Sequence, residues 1–179
     1  MITSIELRDF LSHEDTTINL EDGVTIFVGE NGAGKSSIID AITFSLFGKH
    51  TRKSNKGLIR RGNNQGAVII KFSIKDKQYE AERKINSKGS LNATLFEIID
   101  NNRIQIASGE RKQFKESMTE QVEKIVGMSF EKLKIASIVQ QGELNSIINA
   151  KPKEFKELLN AIIGIDKLDV ASESMKKIT

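Results

Sequence analysis

The chain of 179 residues has no cysteine, no tryptophan, one proline, one tyrosine and two histidines. Without cysteine, neither a disulfide nor a thiolate metal site can form. His13 and His50 are too few donors for a zinc centre. No apolar run approaches the roughly 20 residues that span a bilayer. The opening, MITSIELRDF, lacks the basic start and apolar core of a secretion signal. These absences fit a cytoplasmic protein with no membrane partner. What is there, 38% hydrophobic and 28% charged residues, suits one soluble domain with a sizeable core.

A net charge of +3 is too small to name a polyanionic partner, but its distribution is uneven. Gly48 to Asn64, GKHTRKSNKGLIRRGNN, holds Lys49, Arg52, Lys53, Lys56, Arg60 and Arg61 and no acid. Two readings stand side by side: a solvated basic loop, or a surface that meets phosphates of nucleotide or nucleic acid.

Periodicity divides the chain. Ile2 to Phe10 and Thr16 to Leu20 read as strands. VTIFVG, Val24 to Gly29, is a short β-branched run of the kind buried on both faces of a sheet. Ser36 to Phe47 is helical, with Ile38, Ile39, Ile42, Leu46 and Phe47 at helical spacing and Gly48 as the stop. AVIIKFSI, the return from Tyr79 to Ile85, and a hairpin from Ala93 to Ala107 turning at Asn101–Asn102 predict an antiparallel meander. From Glu110 the period becomes helical: Phe114, Met118, Val122, Ile125 and Val126 make a stripe closed by Gly127, and Ser129 offers a cap to the next helix. Beyond Pro152 a further apolar helical pattern runs to Thr179 and stops without a cap, as if cut within an element.

Between the strand and the first helix lies GENGAGKSS, Gly29 to Ser37. Gly29, Gly34, Lys35 and Ser36 match the phosphate-loop pattern in its required context. Gly32 and Gly34 let the backbone turn tightly and aim N–H groups inward. Those groups and the helix start cradle the α- and β-phosphates of ATP or GTP. Lys35 adds a cation that reaches the β- and γ-phosphates. The Ser36 hydroxyl is placed for Mg²⁺, and Ser37 for the α-phosphate.

Hydrolysis needs more than this loop: an acid for Mg²⁺ and a group that positions water. Four apolar residues followed by Asp-Glu occur nowhere. Asp100 precedes two asparagines and reads as a hairpin residue. ASGERK around Ser108 has one glycine too few for a Ser-Gly-Gly phosphate signature, and helix capping is the expected role.

DFLSHED, then FVGENGAGKSSIIDAITFSLFG, then SIVQQGEL resemble, in that order, the N-terminal segment of the SMC-like ABC ATPases, in particular the archaeal Rad-fifty type of DNA double-strand break repair. The resemblance covers nearly the whole chain. It implies an α/β fold: a P-loop NTPase of the ABC type, N-terminal half-domain (lobe I), with a mixed sheet, an antiparallel β meander and the start of a coiled-coil helix. Residues 1–150 would be the lobe and 151–179 the coiled-coil root. It further implies ATP and Mg²⁺ as ligands, and zinc only in a hook outside this chain. The implied partners are the C-terminal half of the same head, a second head, a nuclease of the Mre-eleven type, and DNA. By position, Asn31, Gly32, Ala33, Gly34, Lys35, Ser36 and Ser37 hold phosphates. Ser36 and Gln141 meet Mg²⁺, and Gln141 also meets the attacking water, with Gln140 the competitor. Ile59, Arg60 and Arg61 match a strand edge near the nucleotide. Many relatives carry a basic residue where this chain has Leu11, so a side-chain phosphate contact is lost there, and Ser12 or a backbone N–H is left to touch the nucleotide. His13 reads as structural. Competing classes are a transporter ATPase, a small-molecule kinase with a lid, and other SMC-type or RecF-like proteins.

Overall fold

The computed structural model describes residues 1–89, 91–109 and 117–137. The chain forms two compact units, Met1–Gly127 and Met128–Thr179. In the second, the described element is helix α3, Phe130–Ser137.

The first unit is built on β1 (Ile2–Phe10), β2 (His13–Asn19), β3 (Gln65–Ile74), β4 (Lys77–Asn86), β5 (Leu91–Ile99) and β6 (Asn102–Ser108). They form one six-stranded sheet in the order β2-β1-β3-β4-β5-β6, and every pairing is antiparallel. The meander follows from its turns. Asp100 and Asn101, both at positive φ, make the two-residue link between β5 and β6, a conformation Asp and Asn tolerate better than other side chains. Asp100 is therefore a hairpin residue, as its sequence context suggests.

Register places the core on one face. Leu7 faces Val68, Ile5 faces Ile70, Ile70 faces Ala81, and Ala81 faces Leu95, and all six are buried. The opposite face is charged, with Lys71 on Glu6 at 3.1 Å, Lys84 on Glu82 at 2.7 Å and Arg103 on Glu80 at 2.5 Å. The period of two separates the faces without further help.

Helix α1 (Lys35–Phe47) packs on β3 and β4. Gly48, in the left-handed region, ends it with its N–H on Phe44 O at 2.8 Å. Sequence spacing predicts a one-sided apolar stripe, but most of α1 is buried: Ile38, Ala41, Phe44, Leu46 and Phe47, with Asp40, Thr43 and Ser45 among them. Ile39, placed on the stripe by spacing, is 44% exposed. The reason is that α1 is covered twice, by the sheet and by helix α2 (Met118–Val126). The buried polar groups are bonded: Asp40 takes Thr51 N–H and Thr51 O–H at 2.9 and 2.8 Å, and Ser45 Oγ donates to Ala81 O at 2.9 Å.

Helix α2 starts with a capping box, Ser117 Oγ accepting from Glu120 N–H and Glu120 Oε2 from Ser117 N–H. Ser108 thus ends a strand and does not cap α2; the cap is nine residues on, where a Ser-x-x-Glu pattern permits both bonds. Met118 and Val122 carry the stripe inward and Gly127 closes the helix. Phe114 lies outside the described residues.

Val24 to Val28 departs from expectation. The segment joins no strand of the described sheet. Val24, Ile26 and Val28 are 91%, 77% and 90% exposed. The sheet of the described residues therefore has no parallel strand; each described neighbour of β1 is already a hairpin or crossover partner.

Arg83 sits on the core face, opposite Val68 and Ala93, and is fully buried. Its Nε–H donates to Ser45 O and its Nη2–H to Thr119 Oγ1, both at 2.8 Å, which ties β4 to α1 and α2 at once. Its guanidinium lies 5.8 Å from the Phe44 ring centre. Burial pushes this group down from its ordinary value to about 10. The unfolded chain therefore binds the proton more tightly, so the cost of burying the charge is present at neutral pH and falls as pH rises from about 10. Arg83→Ala should destabilise the fold by about 3 kcal/mol in urea unfolding, through a cavity and two lost bonds. Arg83→Met, which fills the space and carries no charge, should lose less than half of that. Equal losses would mean that filling the space does not matter.

Candidate functional site

The loop Gly29–Gly34 and the first turn of α1 form the site. Gly32 and Gly34 have φ of +88° and +96°, conformations that other residues rarely adopt. Gly34 is the N-cap of α1 and provides no side-chain cap, and no acid lies in the first turn. The N–H groups of Lys35 and Ser36, with the positive end of the helix dipole, are thus placed to meet an anion. Lys35 Nζ folds back on Gly29 O at 2.7 Å and Glu30 O at 2.8 Å, so the ammonium spans the loop. Ser36 is exposed at the helix start, whereas Ser37 is buried with its N–H on Gly34 O at 3.0 Å. Asn31 and Ala33 are exposed on the loop.

The turn between β1 and β2 lies against this loop. Leu11, at φ +52°, is held by its N–H on Leu58 O at 2.8 Å. That presents Ser12 and His13 to Gly34: a Cβ built on Gly34 would lie 2.5 Å from Ser12 Oγ and 2.7 Å from His13 Nε2. Ser12 is therefore beside the loop. His13 is there too, which its reading as an isolated structural histidine missed. Its ring spans Gly34 O at 3.3 Å and Thr16 Oγ1 at 3.2 Å. The Ser-His pair next to a strand end was the available signal.

Ile59 and Arg60 are fixed to the same strand end. Ile59 bridges Phe10, and Arg60 N–H donates to Asp9 O at 2.9 Å. The side chain of Asn63 donates to Asp9 Oδ1. The Arg60 guanidinium meets Glu14 at 3.0 Å, so one of the six cations of the basic stretch has a carboxylate from β2. Arg61, Lys49, Arg52, Lys53 and Lys56 are exposed. The stretch is anchored to α1 through Thr51 and Asp40, and no spacing rule links two residues 11 apart in this way. Gln140 and Gln141 lie outside the described residues. Among the described residues no cluster of three His, Cys, Asp or Glu side chains could hold a metal, and no helix is long and apolar enough to cross a membrane.

A glycine-bent loop, a lysine folded across it and an uncapped helix start define a phosphate-binding domain of the P-loop class. The chain belongs to the AAA domain family, whose model it matches over residues 4–179. Its curated relatives are more particular. It is 34% identical over 97% of its length to the DNA double-strand break repair Rad50 ATPase of Sulfolobus acidocaldarius, and 35% identical over 97% to that of Saccharolobus solfataricus. It covers 19% and 18% of those proteins, so the chain spans about a fifth of their length. Among solved structures it resembles the SMC head domain from Thermotoga maritima, with a TM-score of 0.53 and 22% identity over 84% of this chain and 51% of that one. It also resembles the recombination mediator protein RecF, with a TM-score of 0.51 and 17% identity over 82% of this chain and 37% of that one. At these identities the two structures show the fold.

Gly34→Ala adds a methyl group against Ser12 and His13, whereas a Cβ on Gly32 would meet open space. Both substitutions incur the backbone strain of positive φ, about 1–2 kcal/mol. In thermal unfolding Gly34→Ala should therefore be clearly the worse, by about a further 1–2 kcal/mol. Equal shifts at the two positions would show that the turn does not press on the loop.

Proposed function

We propose that this chain is the ATP-binding half of an SMC-like ATPase head of the double-strand break repair type, and that hydrolysis requires the C-terminal half of the same head. The carrying observation is a formed phosphate loop that follows an exposed apolar segment. Val24, Ile26 and Val28 face solvent immediately before the loop, and each would gain about 1.5–3 kcal/mol on burial. Strands of the other half of the head are the cover this reading supplies, and the names and length of the curated relatives support it.

In this reading Gly32, Gly34 and the first turn of α1 bind the phosphates and Lys35 exchanges its two carbonyls for phosphate oxygens. Ser12, Ile59, Arg60 and Arg61 border the nucleotide. The exposed Ser36 hydroxyl at the helix start and Gln141 would hold Mg²⁺, which would supply charge neutralisation to the phosphates. Residues 1–150 form the lobe and 151–179 lead into a coiled coil whose zinc hook lies outside this chain. Two heads close around ATP, bind DNA ends and regulate a nuclease of the Mre-eleven type.

Lys35→Ala should weaken Mg-ATP binding by the full protein about a hundredfold, the scale of a lost charge-assisted contact. Gln141→Ala should spare most binding and slow turnover. The isolated chain should show negligible ATPase activity, restored by adding the C-terminal half. Strong turnover by this chain alone, unchanged by that addition, would sink the split-head reading.

The exposed cations give a separate expectation for DNA. Replacing Lys49, Arg52 and Lys53 by Ala should lower DNA affinity in the ATP-bound state and reduce the salt slope by about one unit per lost contact, with ATP affinity kept. An unchanged slope would make the stretch a plain solvated loop.

A further inference from the structure

We propose that His13 is a positioning residue of the phosphate loop: it holds Gly34 O together with the Ser37 N–H, and so steadies the direction of the Lys35 N–H. The inference rests on reading residues 29–37 as a phosphate loop. The peptide joining Gly34 and Lys35 is planar and trans, so its C=O and N–H point in opposite directions. His13 Nε2 lies 3.3 Å from that C=O, on the side of the β1–β2 turn. With the oxygen on that side, the Lys35 N–H points away from the ring. The same oxygen accepts the Ser37 N–H at 3.0 Å, from within α1. The ring is thus its second partner, from outside the helix, at a glycine with φ +96° and no side chain to restrict it.

The second ring nitrogen sets the chemistry. A carbonyl can only accept, so Nε2 must carry the hydrogen, and in the neutral ring Nδ1 is then an acceptor. Thr16 Oγ1, 3.2 Å from Nδ1, has the hydroxyl hydrogen to donate. Thr16 is three residues along, on β2, so one strand carries both the ring and the group that selects its tautomer. Glycine at position 34 is required for the contact itself, since a Cβ would lie 2.7 Å from Nε2. Ser12 Oγ comes from the turn to 2.5 Å from that Cβ position.

The test uses the full-length protein, ADP as the probe, calorimetric affinity and the thermal unfolding midpoint. Lys35→Ala serves as control for the loop. His13→Ala should weaken ADP binding about tenfold, the value of one well-placed hydrogen bond, with a midpoint close to the parent's. His13→Gln, whose Nε2 keeps an N–H at similar reach, should recover most of the loss. Thr16→Val, which frees the ring to take the other tautomer, should weaken binding about threefold. Affinity within twofold of the parent in His13→Ala, while Lys35→Ala binds poorly, would overturn the positioning role and leave the phosphate loop standing. Equal loss in His13→Ala and His13→Gln would overturn it as well. Unchanged binding in Lys35→Ala would remove the phosphate loop itself. If His13→Ala fails to fold, His13→Gln and Thr16→Val decide: near-parent binding in the first and a loss in the second support the role, and no loss in Thr16→Val overturns it.

Discussion

Gly34 is where three parts of the molecule meet with no room for a side chain. The β1–β2 turn comes from one side with Ser12 and His13, the glycine loop from another, and α1 begins at the same residue. A sheet edge is thereby wedged against a helix start. Its placement depends in turn on Leu11 and Asp9, two non-glycine residues at positive φ held by Leu58 O and Arg60 N–H. Backbone strain of this kind, of order 1–3 kcal/mol per residue, persists where surrounding bonds over-determine it. Here those bonds run to the segment that also carries Ile59 and Arg60, so that segment and the β1–β2 turn are fixed to one another.

Behind the site, α1 is positioned by a cation in an otherwise apolar layer. Arg83 bonds the end of α1 through Ser45 O and the start of α2 through Thr119. Ser45 answers by bonding the backbone of β4 at Ala81. Hydrophobic packing alone would let a helix slide along the sheet, because apolar contact is non-directional. Directed bonds to a buried arginine fix the axial position of α1, and with it the height at which its N-terminus meets the loop.

Much of this was legible in the sequence, and the reasons are local. Alternation marked β1 and the meander from β3 to β6, glycines at 48 and 127 ended two helices, and the phosphate-loop spacing identified its own loop. The unreadable parts depend on partners distant along the chain. The position of His13 beside Gly34 spans 21 residues, and the burial of Arg83 rests on acceptors 36 and 38 residues away. A lone histidine or a strand arginine has no pattern that announces such neighbours. Val24 to Val28 failed for the converse reason: its composition describes a buried strand, and composition records what a segment is suited to, whatever covers it.

That last mismatch bears on how the site is divided between pieces of protein. The loop's shape is set by glycines, by the lysine across two carbonyls and by the hairpin turn, all within residues 8–60, and none of these bonds involves Val24 to Val28. Lys35 is satisfied by neutral oxygens that cost little to leave, since an ammonium exchanges them for charged oxygens that bind it about twice as strongly. The cradle can therefore be complete while the apolar segment leading into it is still exposed. The bonds that shape the loop are local, whereas the apolar segment before it is an energetic demand of several kcal/mol directed outward. A head in which binding is local and closure is shared would couple the two by that segment, because whatever buries it also sets the angle at which the loop leaves it.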